Sequence, residues 1–188
     1  AIYRYGFDDI FLANENLQDA ETLTVKIRAF DIHSKETFSD EWKGSIQGNQ
    51  SKQIYQLPEL KNCTSVWFLS LNVFDKDNQE VDNSIYWLSQ KQDVPDYEAS
   101  KKLSWPFYTP AKQFADFTAL DQLPAVTPVC DFRYIPSDND GRVTFKIKNP
   151  GEAIAFFLFF DLVDPATGQP VLPVYWDDNY VTLLPGEE

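Results

Sequence analysis

The run Thr22-Leu-Thr-Val-Lys-Ile-Arg-Ala-Phe30 limits the fold more than any other stretch of this chain. Apolar Leu23, Val25, Ile27 and Ala29 alternate there with polar Thr24, Lys26 and Arg28. A period of two sends successive side chains to opposite faces, which is the pattern of a strand with one wet side. The same texture recurs. Ser51-Lys-Gln-Ile-Tyr-Gln-Leu57 reads as a strand stopped by Pro58. Ser65-Val-Trp-Phe-Leu-Ser-Leu-Asn-Val-Phe74 is nearly continuous in apolar residues, as a central strand requires. Asp75-Lys-Asp-Asn-Gln79 supplies turn residues, and Val81 to Leu88 returns as its hairpin partner.

Beyond Gln90 the texture changes. Residues 90–110 mix charges, aromatics and Pro95, Pro106 and Pro110 without a clear period, and read as a linker or a long surface crossing. Phe114 to Leu123 is compatible with a single helical turn or a strand. Strands resume at Val129 to Ile135 and Arg142 to Lys148, joined by the hairpin-turn sequence Asp138-Asn-Asp-Gly141. Asn149-Pro-Gly151 is another turn, and Ala153 to Val163 is expected as a long central strand. Asp164-Pro-Ala-Thr-Gly168 turns the chain towards Val171. The closing run, residues 171–187, reads as strand, polar corner, second short strand and turn.

Short strands joined by turn dipeptides, with no sustained helical period and no βαβ alternation, predict an all-β chain of two immunoglobulin-like β-sandwich domains in tandem. The expected boundaries are 1–90 for the first sandwich, 91–117 for the linker or crossing, and 118–188 for the second. The second shows about five strand signals where an immunoglobulin domain has about seven. It is therefore expected to be truncated, with its last strands missing.

Composition narrows the partners. The net charge is -13, from 16 basic and 29 acidic residues, and that field repels a phosphate backbone, so nucleic acid is excluded. Hydrophobic residues make up 43% and aromatics 15%, enough to build a core. No apolar run reaches the ~18 residues of a membrane helix, so no membrane partner is expected. Cys63 and Cys130 fall in separate expected domains and are read as two free, buried thiols. The chain begins at Ala1 and contains no Met, which reads as a processed product or an excised fragment.

Metal and cofactor chemistry find little support. Asp75 to Asp82 superficially matches a calcium loop, but Glu80 stands where that loop needs Gly and no Glu follows at its twelfth position. His33 is the sole histidine, so neither a His-based zinc site nor a catalytic triad can be built. No metal and no cofactor are expected. Asn49-Gln-Ser51 and Asn62-Cys-Thr64 match the glycosylation sequon.

Several segments resemble one family. Asn83-Ser-Ile-Tyr-Trp-Leu-Ser89 is similar to the N-x-YWLS strand in the C-terminal part of family 2 glycoside hydrolases of the exo-β-D-glucosaminidase and β-mannosidase type. Phe114-Ala-Asp-Phe-Thr-Ala-Leu120 with Leu123-Pro124 resembles their YADLTAL…LP segment. Ala155-Phe-Phe-Leu158 resembles the AFF strand. Val171-Leu-Pro-Val174 and Asp178 to Glu187 resemble VLPV…DNYFSLLPGE. The order and approximate spacing agree, over roughly Asn72 to Glu188.

The resemblance implies C-terminal sandwiches that follow a (β/α)8 barrel carrying a catalytic pair of glutamates. Nothing in this chain resembles that barrel. The candidate pairs Asp8-Asp9, Asp177-Asp178 and Glu187-Glu188 read as solvated surface acid, and no catalytic residue is expected. The implied role is a non-catalytic accessory region that packs on the barrel of the same polypeptide and stabilises it. Secretion or a periplasmic location is implied by the same resemblance. The alternative is an autonomous carbohydrate-binding module. Its oligosaccharide contacts would be Trp176, Asp177 and Asn179, where an indole neighbours polar acceptors, and Trp105 in the Trp105-Pro-Phe-Tyr108 cluster.

Overall fold

A computed structural model describes residues 1–105, 107–137 and 140–188. The chain forms two compact units, Ala1–Gln122 and Leu123–Glu188.

Unit 1 is a sandwich of two antiparallel sheets. One is three-stranded, in the order β1 (Ile2–Arg4), β2 (Asp9–Asn14), β5 (Gln50–Gln56). The other is four-stranded, in the order β4 (Glu36–Ile46), β3 (Ala20–Asp31), β6 (Val66–Phe74), β7 (Glu80–Ser89). The alternation in β3 has its expected consequence: Leu23, Val25, Ile27 and Ala29 all enter the core. They meet Trp67, Leu69, Leu71 and Val73 from β6, and Ile10 and Leu12 from β2. Burying each Val, Leu or Ile side chain among them contributes about 1.5–3 kcal/mol. Strand β6 is buried on both faces, since Phe68, Ser70 and Asn72 on its other side are also covered. There Asn72 Oδ1 accepts from Ser70 Oγ at 2.8 Å and from Arg28 Nη2 at 3.2 Å.

The turns are set by short polar side chains. Asp31 Oδ1 accepts from the backbone N–H of His33 and Lys35 at 2.9 and 3.0 Å, closing the β3–β4 turn. Asp75 Oδ1 does the same for Asp77 and Gln79 at 2.9 and 2.8 Å between β6 and β7, where Asn78 takes a φ of 57°. The segment that superficially matches a calcium loop is thus a hairpin turn.

Residues 91–122 group with unit 1. They carry β8 (Val94–Pro95), a four-residue helix α1 (Tyr97–Ser100) capped by Asp96, β9 (Ala111–Gln113) paired with β8, and a 3-10 turn over Thr118–Gln122. Ser89 Oγ donates to the Asp116 carbonyl at 2.9 Å, and Asp93 Oδ1 accepts from Ala115 N at 2.8 Å. The first bond ties the arm to the end of β7, and the second closes the arm on itself. The segment 91–117, expected as a linker or crossing, therefore has secondary structure of its own.

Unit 2 contains, among its described residues, the hairpin β10 (Val129–Pro136) and β11 (Gly141–Lys148), and the pair β12 (Ala155–Leu158) and β13 (Val181–Leu183). The tip expected at Asp138-Asn-Asp-Gly141 includes Asp138 and Asn139, which lie outside the described residues; Pro136 and Gly141 pair across it. Two expectations need correction. Ala153 to Val163 is not one long strand: only Ala155–Leu158 pairs, and Phe157 takes a φ of 57° at an irregularity in the register. Val171 and Leu172 form no strand and are exposed; the nearby pairing is a lone bridge between Val163 and Pro170. Asn179 explains the break in pairing. Its Oδ1 accepts from Phe160 N at 2.8 Å and its Nδ2 donates to Phe160 O at 2.9 Å, so a side chain stands where a partner strand would.

Asn149 is fully buried at the end of β11. Its Oδ1 accepts from Gly151 N, and its Nδ2 donates to Ala153 O and Leu183 O. Asn14, at the end of β2 in unit 1, repeats the pattern. Its Oδ1 accepts from Asn16 N, and its Nδ2 donates to Gln18 O and Gln47 O. Each unit thus closes a corner with an asparagine bonded to residues i+2 and i+4 and to one distant carbonyl.

Both cysteines are free. Cys63 is half-buried, with Sγ 3.0 Å from Thr37 Oγ1. Cys130 is exposed, contrary to the expectation of two buried thiols, because every residue of β10 is exposed.

Candidate functional site

The four residues read as sugar contacts fall in different units. Trp105 is in unit 1, 71% exposed, with its ring stacked on Phe107 at 5.7 Å and 8° between planes. Trp176, Asp177 and Asn179 are in unit 2. Trp176 is half-buried and packs against Phe145 at 5.9 Å, while Phe145 also stacks on Phe160 at 6.0 Å. Asn179 is occupied by its bonds to Phe160 and to Tyr180 N. Asp177 is exposed. The fold therefore engages Trp176 and Asn179 in packing and pairing, and leaves Trp105 and Asp177 facing outwards.

A concavity in unit 1 was not legible in the sequence. It is a cleft of about 840 Å³ walled by the β1–β2 turn, the β5–β6 loop and the arm of residues 90–117. Buried Trp67 and Leu88 are among its lining residues. Gly6 and Asp8 adopt φ values of 76° and 54° in the β1–β2 turn. Glycine carries no Cβ penalty there, and Asp is among the few other residues that tolerate this region. Gln56 fixes the turn, donating through Nε2 to Phe7 O at 3.0 Å and Asp8 O at 2.9 Å, while Leu57 N donates to Asp8 O at 2.7 Å.

Tyrosines line one side. Tyr3 and Tyr5 meet edge-on at 5.3 Å, and Tyr86 packs on both, at 5.6 and 6.1 Å. Tyr3 OH donates to Asp8 Oδ1 at 2.5 Å, and its own backbone N–H donates to Tyr86 OH at 3.1 Å. Burial, reinforced by the Asp8 carboxylate, holds the Tyr3 phenol far above its ordinary range, so it remains a donor. Burial and then Tyr86 push Tyr5 up in the same direction. The carboxylates lining the cleft are Asp8, Glu59 and Asp93; the one ammonium is Lys61, 3.6 Å from Glu59. The sequence signal that could have found this site is Tyr3-Arg-Tyr-Gly-Phe-Asp-Asp9, an aromatic and acidic run around a turn glycine. Among the described residues no cluster of three or more His, Cys, Asp or Glu has metal-binding geometry.

Two family models match along the chain. Residues 9–93 match the model of the mannosidase Ig/CBM-like domain, and residues 106–188 match that of the exo-beta-D-glucosaminidase Ig-fold domain. An exo-beta-D-glucosaminidase of Arthroderma benhamiae is 30% identical over 187 residues, covering 100% of this chain and 20% of that protein. One from Streptomyces avermitilis is 31% identical, covering 98% and 21%. Among solved structures, the exo-chitosanase CsxA of Amycolatopsis orientalis with PNP-beta-D-glucosamine superposes with a TM-score of 0.89 at 26% identity, covering 99% of this chain and 22% of that one. The chain spans about a fifth of the length of these relatives. Two immunoglobulin-like matches in tandem, on a chain built of strands, make it all-β in class. The chain belongs to the tandem immunoglobulin-like domains of family 2 glycoside hydrolases of the exo-β-D-glucosaminidase type.

Proposed function

We propose that this chain is the non-catalytic accessory region of a larger exo-β-D-glucosaminidase, packed on the catalytic barrel of the same polypeptide and stabilising it. The observation that carries this reading is the match from end to end: all of this chain aligns with only 20% of an enzyme so named.

An antibody against this chain provides the test. The native polypeptide recognised in the source is expected to be several times heavier than 21.7 kDa, and the precipitated protein should hydrolyse β-D-glucosaminides. The isolated chain should not. A native band at 21.7 kDa, or turnover by the chain alone, overturns the reading.

A further inference from the structure

We propose that the cleft of unit 1 is a binding site for a protonated amino sugar. The inference goes beyond the accessory role, which needs no ligand. Its size is right: about 840 Å³ lies within the ~300–1,000 Å³ of small-molecule sites. So is its chemistry. Tyr5 and Tyr97 line the cleft while leaving 64% and 66% of their surfaces exposed. An aromatic face takes the apolar C–H side of a pyranose and attracts a cation held over it. Asp8, Glu59 and Asp93 supply acceptors, and an ammonium has three N–H donors to satisfy.

The walls are held in place before any ligand arrives. Asp8 is fixed through Oδ1 by Tyr3 OH, and Asp93 through Oδ1 by Ala115 N, which leaves Oδ2 of each available to accept. Lys61 is the one cation of the lining, and it sits against Glu59, so the lining keeps an excess of negative charge. The whole chain, at -13, adds a field that concentrates cations near the cleft. A neutral saccharide would gain the ring contact but not the charge.

The test is calorimetric titration of this chain with a β-1,4-linked glucosamine tetramer and with its fully N-acetylated counterpart, where the amine is protonated. The charged tetramer is expected to bind at least ~10-fold tighter, with the preference shrinking as salt is added. Asp93→Asn keeps an oxygen for Ala115 N and should weaken the charged tetramer by about 10-fold. Tyr97→Ala, on an exposed helix position, should weaken both tetramers; circular dichroism confirms that each variant is folded. Absence of binding, equal affinity for the two tetramers, or variants that bind like the parent chain overturns the proposal. Such failure leaves the accessory role standing, because that role is decided by the size of the native polypeptide.

Discussion

Asn149 Nδ2 donates to the carbonyl oxygen of Leu183 at 3.0 Å, joining the end of β11 to the end of β13. The same corner receives backbone bonds, Asn149 N to Glu187 O and Gly186 N to Asn149 O, each 2.9 Å. Gly186, with a φ of 82°, makes the closing turn that brings these groups together.

Replacing Asn149 by Ala should therefore cost unit 2 about 2–4 kcal/mol, because it strips partners from Ala153 O, Leu183 O and Gly151 N in a fully buried place. Asn149→Asp should also destabilise, since a carboxylate cannot donate to two carbonyls. Hydrogen exchange read by unit is the check: amides of unit 2 should lose protection while those of β3 and β6 keep theirs.

Core truncation should act on the other unit. Leu71 is fully buried, and Leu71→Ala is expected to cost about 2–5 kcal/mol in denaturant melts of unit 1. Leu17, 92% exposed, serves as the control, and Leu17→Ala should stay within ~0.5 kcal/mol.

Arg4 grips Asp9 with both guanidinium arms, Nε to Oδ1 at 2.7 Å and Nη2 to Oδ2. That bond holds the Asp9 carboxyl below its ordinary value of 3.8. A carboxyl depressed by folding adds stability above its unfolded pKa and loses that contribution as the pH falls through the folded value. In Arg4→Gln the opposing effect of burial is left, so Asp9 should titrate higher, and the acid-unfolding midpoint should move to higher pH. Side-chain NMR titration of Asp9 measures this directly.

The two thiols should separate in reactivity. The thiolate is the nucleophile, and Cys130 is exposed. Burial pushes the Cys63 thiol up, against a lowering bond from Thr37. Iodoacetamide on the native chain should label Cys130 first, with Cys63 following only on unfolding; mass spectrometry of tryptic peptides decides it.

The two tryptophans singled out in the sequence should also diverge. Trp176→Ala removes the ring packed on Phe145 and should destabilise unit 2 measurably. Trp105→Ala removes a 71% exposed ring and should leave thermal stability unchanged.

What the sequence made legible was periodicity. The Thr22 to Phe30 alternation and the Ser65 to Phe74 apolar run lie within or across β3 and β6, because core-facing strands must repeat every second residue. Strand β4 carries no such signal, since it is largely polar and mostly uncovered, with buried Ile46 and half-buried Phe38 and Trp42 as its few apolar anchors. The Ala153 to Val163 run misled for the opposite reason. Its apolar residues suit a strand, but the pairing ends where Phe157 takes a positive φ and Asn179 bonds Phe160. The cleft was hidden because its walls come from residues near positions 5, 59 and 95, and only the folded sandwich brings them side by side.

Strand β6 has a neighbour on each edge and no exposed face among Val66 to Val73. Local fraying cannot reach its backbone N–H groups, since both flanking strands must part first. The amides of Leu69 and Leu71 should then exchange with solvent only when unit 1 opens as a whole. These two amides are a built-in gauge of its global free energy, readable without any added label.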